Sequence, residues 1–380
     1  MKKTLALLLS LAMIAAHAGC GSSSAPAETT AAPAETEAAA PETEAPAETE
    51  APAAETEAPA ETEAAAETEA AEAVAIDGDP VTIKFSLSHA ATEPACVAAY
   101  EFAEAVAAKS GGNMTVEVYP DNQLGSERDV VEGLQLHTVQ MVDPANAVLS
   151  NFVPEVGIFS LPMLFESKEQ LYNALDTVGM TFVDKCAEQG LQLLGWFDMG
   201  TRHIMTVKKP IESMDDIKGL KIRTQESTVE LAGMAAFGAA SMPMAYNELY
   251  TALESGVLDG AEAANTNYLA KAFYEVAPNW AIVGWLEVVC PVLMDKQFYD
   301  NLTDSQRAVL EECVADMLVS EREKYAQSEE DALAELEAKG VNITHPDRAP
   351  FQEKAIEIYK QYEGEFGKEN IEGLLGHSYE

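Results

Sequence analysis

The sequence predicts an α/β fold divided between two lobes and braced by one long helix near its C-terminal end. Three observations carry that prediction. Beyond residue 80, stretches of alternating apolar residues are separated by amphipathic helical patterns with short connections, the order expected of βαβ units. At 380 residues, the chain is long enough for two domains, each with its own core. From Thr303 to Gly340 runs an uninterrupted helical pattern that would span roughly 50 Å, enough to lie across both.

The N-terminal stretch "MKKTLALLLSLAMIAAHAGC" has a basic start at Lys2 and Lys3, an apolar run from Leu5 to Ala16, and small residues before Cys20. This is the pattern of a secretory signal, too short for an ordinary membrane span. Its Ala-Gly-Cys ending resembles a bacterial lipobox, in which the cysteine becomes lipidated after cleavage, although His17 stands where leucine is usual. The alternative is an ordinary cleaved signal with a free Cys20. From about Pro26 to Ala75 the chain holds fourteen glutamates, no basic residue and, before Val74, no apolar side chain larger than alanine. Such a segment buries too little surface to offset its ordering entropy and reads as an extended tether.

Folded sequence begins near Pro80. "VTIKFSLSHA" and "MTVEVYP" alternate as strands, with a helix between them that stops at "KSGGN". "SERDVVEGLQLHT" reads as a helix and "VQMVDPA" as a short strand, so this half carries a largely parallel sheet. Further on, "LQLLGWFD" and "RHIMTV" read as two strands, "SMDD" as a helix start, "GLKIRT" as a strand and "VLDGAE" as a short strand. Leu249 and Leu253 lie one helical turn apart, with Gly256 as the stop. "WAIVGWLEVVCPVLM" is too short and, with Glu287, too charged to span a membrane, and reads as buried strands at a domain crossover. The long helix opens with a Thr303-x-x-Gln306 capping box.

With 64 acidic and 23 basic residues, the formal charge is −41, which argues against nucleic acid and against electrostatic attraction to anionic lipid. About −29 of it falls outside residues 1–75, so the folded part is itself acidic. No CxxC, HExxH or P-loop pattern occurs, and no cofactor or metal is expected. The histidines His89, His137, His203, His345 and His377 have no recognisable nucleophile context, which argues against an enzyme. Cys96, Cys186, Cys290 and Cys313 are widely spaced; disulfides and buried free thiols both remain open.

Only six residues are arginines, and Arg223 falls within a strand whose two faces should both be covered. A buried guanidinium needs an acceptor, either a protein carboxylate or a ligand's. Arg202, opening "RHIMTV", is a second cation at a strand boundary of the same half, and together the two look like an anion clamp. His89 and Glu93 follow the first strand, where a cleft loop would lie, with a surface histidine as the simpler alternative. Gln123 and Glu127 could reach a polar ligand or merely serve a helix start. Trp196 and Trp285 read as core.

The segments "VYPDNQLGSERDVVEGLQLHTVQMV", "LSNFVPEVGIFSLPMLF", "LLGWFDMGTRHIMTVKKPI", "DIKGLKIRT", "PMAYNELYTALESGVLDGAE" and "FYEVA" together resemble the solute-binding proteins of TRAP transporters, of the C4-dicarboxylate-binding type. The resemblance covers nearly everything from Val81 to the end of the long helix. It implies a two-lobed, periplasmic-binding-protein-like fold that closes about a hinge over an organic acid: a dicarboxylate, a sugar acid or a keto acid. It implies that Arg223 pairs with the ligand carboxylate, that Arg202 contributes to the same acid and that Tyr246 lines the pocket. The family's carboxylate-holding asparagine is replaced here by Ala263 and Ala264, so that Asn265 or Asn267 stands as its substitute. On this reading residues 1–20 are the signal, 21–79 the tether, 80–200 lobe I, 201–290 lobe II, and 291–380 the crossover strand, long helix and C-terminal helices packing on both lobes. The implied partners are membrane permease subunits and, through Cys20, the membrane itself, with the protein lipid-anchored outside the cytoplasm. The alternative is a receptor feeding a membrane sensor kinase.

Overall fold

The structure is a computed structural model that describes residues 76–379. The expectations for the signal, for Cys20 and for the tether up to Ala75 lie outside the described residues.

Nine strands form one sheet: β1 (Val81–Ser86), β2 (Met114–Tyr119), β3 (Met141–Val142), β4 (Leu191–Thr206), β5 (Lys221–Thr224), β6 (Ala240–Pro243), β7 (Gly260–Ala263), β8 (Asn279–Asp295) and β9 (Asn342–Thr344). Their order is β2-β1-β3-β8-β4-β7-β5-β6, with β9 beside β8. Parallel triplets occupy the two ends, β2-β1-β3 in lobe I and β7-β5-β6 in lobe II. Between them β4 and β8 run antiparallel to each other, and each is also antiparallel to its lobe neighbour.

The expected parallel sheet therefore holds at its ends and is corrected at its centre. "LQLLGWFD" and "RHIMTV" are one 16-residue strand, and "WAIVGWLEVVCPVLM" lies within one 17-residue strand. Register shifts at Leu193/Gly195, Asp198/Thr201 and Arg202/Ile204 let this pair bend while staying paired, which the alternation pattern reads as a break. Positions 200 and 290 both lie within these shared strands. "SMDD" caps a single 3₁₀ turn, Met214–Ile217, in place of a helix.

The long helix, Asp304–Ala338, carries the expected capping box between Thr303 and Gln306. It meets both lobes. Lys109 and Lys324 form ion pairs between it and the lobe I helix Pro94–Lys109, while Tyr325 and Glu329 bond Thr266 of lobe II. Trp196 and Trp285 are buried in the core, as read. Of the two possibilities open for Cys96, Cys186, Cys290 and Cys313, the structure shows buried free thiols.

Candidate functional site

β5 alternates Ile222 into the core and Arg223 to the opposite face, where the arginine is 1% exposed. Arg202 projects from β4 just past the register shift at Asp198/Thr201. Gly200 makes that bend possible: its φ is +81°, and a Cβ there would sit 2.8 Å from Ala264 Cβ and from the Tyr325 ring. The two arginines converge on Glu262 of β7, which is fully buried. Arg202 Nε donates to Glu262 Oε2 at 2.7 Å, and Arg223 Nη1 donates to Glu262 Oε1 at 2.7 Å.

One carboxylate thus holds both guanidinium groups apart and in place. Two cations and one anion leave one positive charge in excess. Arg223 Nε donates to Met244 O at 2.9 Å, and Arg202 Nη1 donates to Asn267 Oδ1 at 2.6 Å. Among the described residues, neither arginine's Nη2 has an acceptor. Burial works against the charged form of Arg202, but the Glu262 carboxylate overrides it and raises its pKa. Of the two acceptors left open for Arg223, the protein supplies one, Glu262, and leaves donor capacity over.

Of Asn265 and Asn267, it is Asn267 that bonds the arginine pair. It sits in the helix Asn265–Ala270 that starts just beyond β7, takes the bond from Arg202, and donates in turn to Glu93 Oε2 of lobe I. Asn265 is engaged elsewhere: its Oδ1 accepts from Trp280 Nε1. Tyr246 is buried edge-on to Phe273, and the Arg223 guanidinium carbon lies 6.0 Å from its ring centroid.

Arg202, Tyr246 and Asn267 border a small cavity of about 10 Å³, room for about one water, lined by both lobes, while Arg223 is buried outside its lining. Arg202, Tyr246, Asn267 and Gln225 face Ser88, His89, Glu127 and Ala145 across it. Gln123 is exposed and is not among the lining residues. The alternative of a surface histidine at position 89 is corrected: His89 is 6% exposed, with Nε2 3.4 Å from the buried Asp143. Burial lowers the pKa of His89 and Asp143 raises it, with a net rise. Glu127 does not cap its helix, since the capping box there joins Ser126 and Asp129; it accepts from Ser88 Oγ and Ala145 N, both at 3.1 Å.

Sequence reasoning missed the parts played by Glu262, Gln225, Glu230 and Asp143. Glu262 had a readable signal, being a carboxylate within an otherwise small and apolar strand, where an unpaired charge is costly. Glu230 stands three residues after the N-cap Ser227 and looks like a capping residue, yet it is 1% exposed beside the arginine pair. Burial, then the Glu262 charge, push its pKa up to about 8, against the pull of Arg202 and Arg223.

Two lobes sharing a pair of strands, with a cation-bearing cavity lined from both sides, define a protein that closes over a small anion. The chain belongs to the family described as bacterial extracellular solute-binding protein, family 7 (DctP), whose model matches residues 85–365. It is 31% identical over 299 residues to the C4-dicarboxylate-binding periplasmic protein DctP of Rhodobacter capsulatus, an alignment covering 77% of this chain and 90% of the relative. The sugar acid binding protein DctPAm of Advenella mimigardefordensis, solved with galactonate, superposes with a TM-score of 0.77 at 30% identity, covering 79% of this chain and 98% of that one. A TRAP periplasmic solute-binding protein of Sulfurospirillum deleyianum, solved with succinate, gives 0.75 at 28% identity, covering 78% and 99%. The fold is thus the two-lobed binding-protein architecture with a long bracing helix. Among the described residues no helix is long and apolar enough to cross a membrane, and no cluster of side chains suits a metal ion.

Proposed function

We propose that this chain captures a small organic acid outside the cytoplasm and delivers it, chemically unchanged, to membrane permease subunits, while lipid on Cys20 keeps it at the membrane. Arg223, Arg202, Tyr246 and Asn267 hold the acid's carboxylate end, and His89 lines the opposite wall. The observation that carries the reading is the arrangement of Arg202 and Arg223. Both are buried, Arg202 lines a cavity between the lobes with Arg223 joined to it through Glu262, and each keeps a free Nη2 donor. A structural ion pair alone needs one cation for one anion; here a cation is left over, and a ligand carboxylate balances it. Relatives solved with galactonate and with succinate support an acid as the ligand.

Calorimetry tests this directly. Arg223→Ala removes charge-assisted bonds to a buried acid and is expected to weaken binding of the best carboxylate by about 2–3 kcal/mol, or roughly thirtyfold or more. A loss under tenfold overturns the role given to Arg223.

A further inference from the structure

We propose that a vestibule outside the inter-lobe cavity, built around Lys271 and Asp121, is a separate subsite where a small carboxylate first docks. The acid gains entry by taking the place of Asp121 on Lys271. The inference rests on the receptor reading above and adds the route by which the ligand enters.

The inner cavity has a volume of about 10 Å³, so no organic acid reaches Arg202 unless the mouth opens. Beside it lies a larger space of about 280 Å³, near the lower end of the range for small-molecule pockets. Asp121 and Asn122 of lobe I line it together with Tyr246, Tyr250, Lys271 and Phe273 of lobe II. Tyr246 lines both spaces, so its side chain stands between them. The Lys271 ammonium lies 5.7 Å from the Tyr246 ring centroid and pairs with Asp121 across the lobes.

Among the residues lining the vestibule, Lys271 alone carries a cation. The chain as a whole is acidic and repels anions, so an incoming carboxylate finds its local attraction here. The stacked rings of Tyr250 and Phe273, with centroids 6.4 Å apart, offer apolar surface to the acid's carbon chain. Asp121 is partly solvated, so giving up its place on Lys271 costs little.

Each partner of the pair is fastened to one wall of the inner cavity. Asp121 N donates to His89 O at 2.8 Å and Asn122 N to Leu87 O at 3.1 Å, holding the loop that carries Ser88 and His89. Lys271 N donates to Asn267 O at 3.0 Å, and Asn267 in turn bonds Arg202. Among the described residues five non-glycine positions have positive φ, and three of them, Asp121, Asn122 and Ala272, flank the pair. Left-handed backbone is costly for a residue with a side chain, so a contact has to hold these loops in place. Exchanging Asp121 for a ligand carboxylate removes that contact and parts the two walls.

Stopped-flow rates on the full chain, with D-galactonate, D-glucuronate and succinate as probes, separate docking from latching. Lys271→Gln is expected to slow association of whichever probe binds by about fivefold at low ionic strength, and the effect vanishes in about 0.5 M salt. Lys271→Arg is expected to retain the parent rate. Asp121→Asn breaks the same ion pair but keeps the cation, and is expected to associate at least as fast as the parent. Any quickening of dissociation is shared by Lys271→Gln and Asp121→Asn. Association slowed equally by both, or by neither, makes the pair a latch alone and overturns this inference. The receptor reading then stands, provided Arg223→Ala still weakens binding. Binding by none of the probes overturns both.

Discussion

At Glu230 a single proton decides how much positive charge the site can offer. Neutral, it leaves Arg202, Arg223 and Glu262 with their cationic excess; ionised, it competes with an incoming acid for the same guanidinium groups. Its pKa is pushed up to about 8, so acid binding is expected to weaken as pH rises through about 8, and Glu230→Gln is expected to flatten that dependence. Calorimetry between pH 6.5 and 9 on both proteins checks this, and an unaltered slope in the variant would refute it. The sign for stability runs the same way. A carboxyl raised from 4.5 in the unfolded chain contributes stability that is complete below that value and lost as pH climbs toward 8. Such residue-scale facts were the least legible in the sequence. Arg223 and Arg202 stood out because arginine is scarce and a buried strand must pair it. Glu230 and Asp143 did not, since nothing in "STVE" or "VDPA" shows that a carboxyl is buried.

Among the elements, the contact between β4 and β7 sets the position of the arginine pair, because Arg202 lies on one strand and Glu262 on the other. Gly260 opens β7, and a Cβ there would stand 2.3 Å from the Met205 carbonyl oxygen, backbone that cannot swing away. Gly260→Ala is expected to cost about 1–3 kcal/mol in stability, seen as a lower denaturant midpoint, and to weaken acid binding through displacement of Glu262. An unchanged midpoint would refute the packing argument. Element existence was largely legible: β1, β2, β3, β5 and β7 were read where they occur, because period-2 alternation and flanking turn residues reflect burial directly. The continuity of β4 and β8 was not. Bulges at Gly195 and beyond Asp198 interrupt the alternation without interrupting the pairing, so a bent strand looks like two.

Across the whole molecule, closure has to be reconciled with a helix that is fastened to both lobes. Asp304–Ala338 bonds Glu101 and Lys109 on one side and Thr266 on the other, so any relative motion of the lobes has to bend the shared strands β4 and β8 or break these bonds. At the mouth, Lys271 of lobe II reaches Asp121 of lobe I in an ion pair whose side chains are 21% and 48% exposed. Deeper in, Asn267 meets Glu93. Both contacts join the lobes, but they differ in kind. The outer pair is partly solvated and screened by salt, and is worth at most about 1 kcal/mol. Asp121→Asn is therefore expected to raise the acid's dissociation constant by about fivefold or less, an effect that fades in 0.5 M salt, with the thermal midpoint of the unliganded protein nearly unchanged. Arg223→Ala acts where solvent is excluded, and its larger loss is expected to persist at that salt. If Asp121→Asn cost as much affinity as Arg223→Ala, binding energy would reside in holding the lobes shut, and the arginine pair would only guide the acid into place.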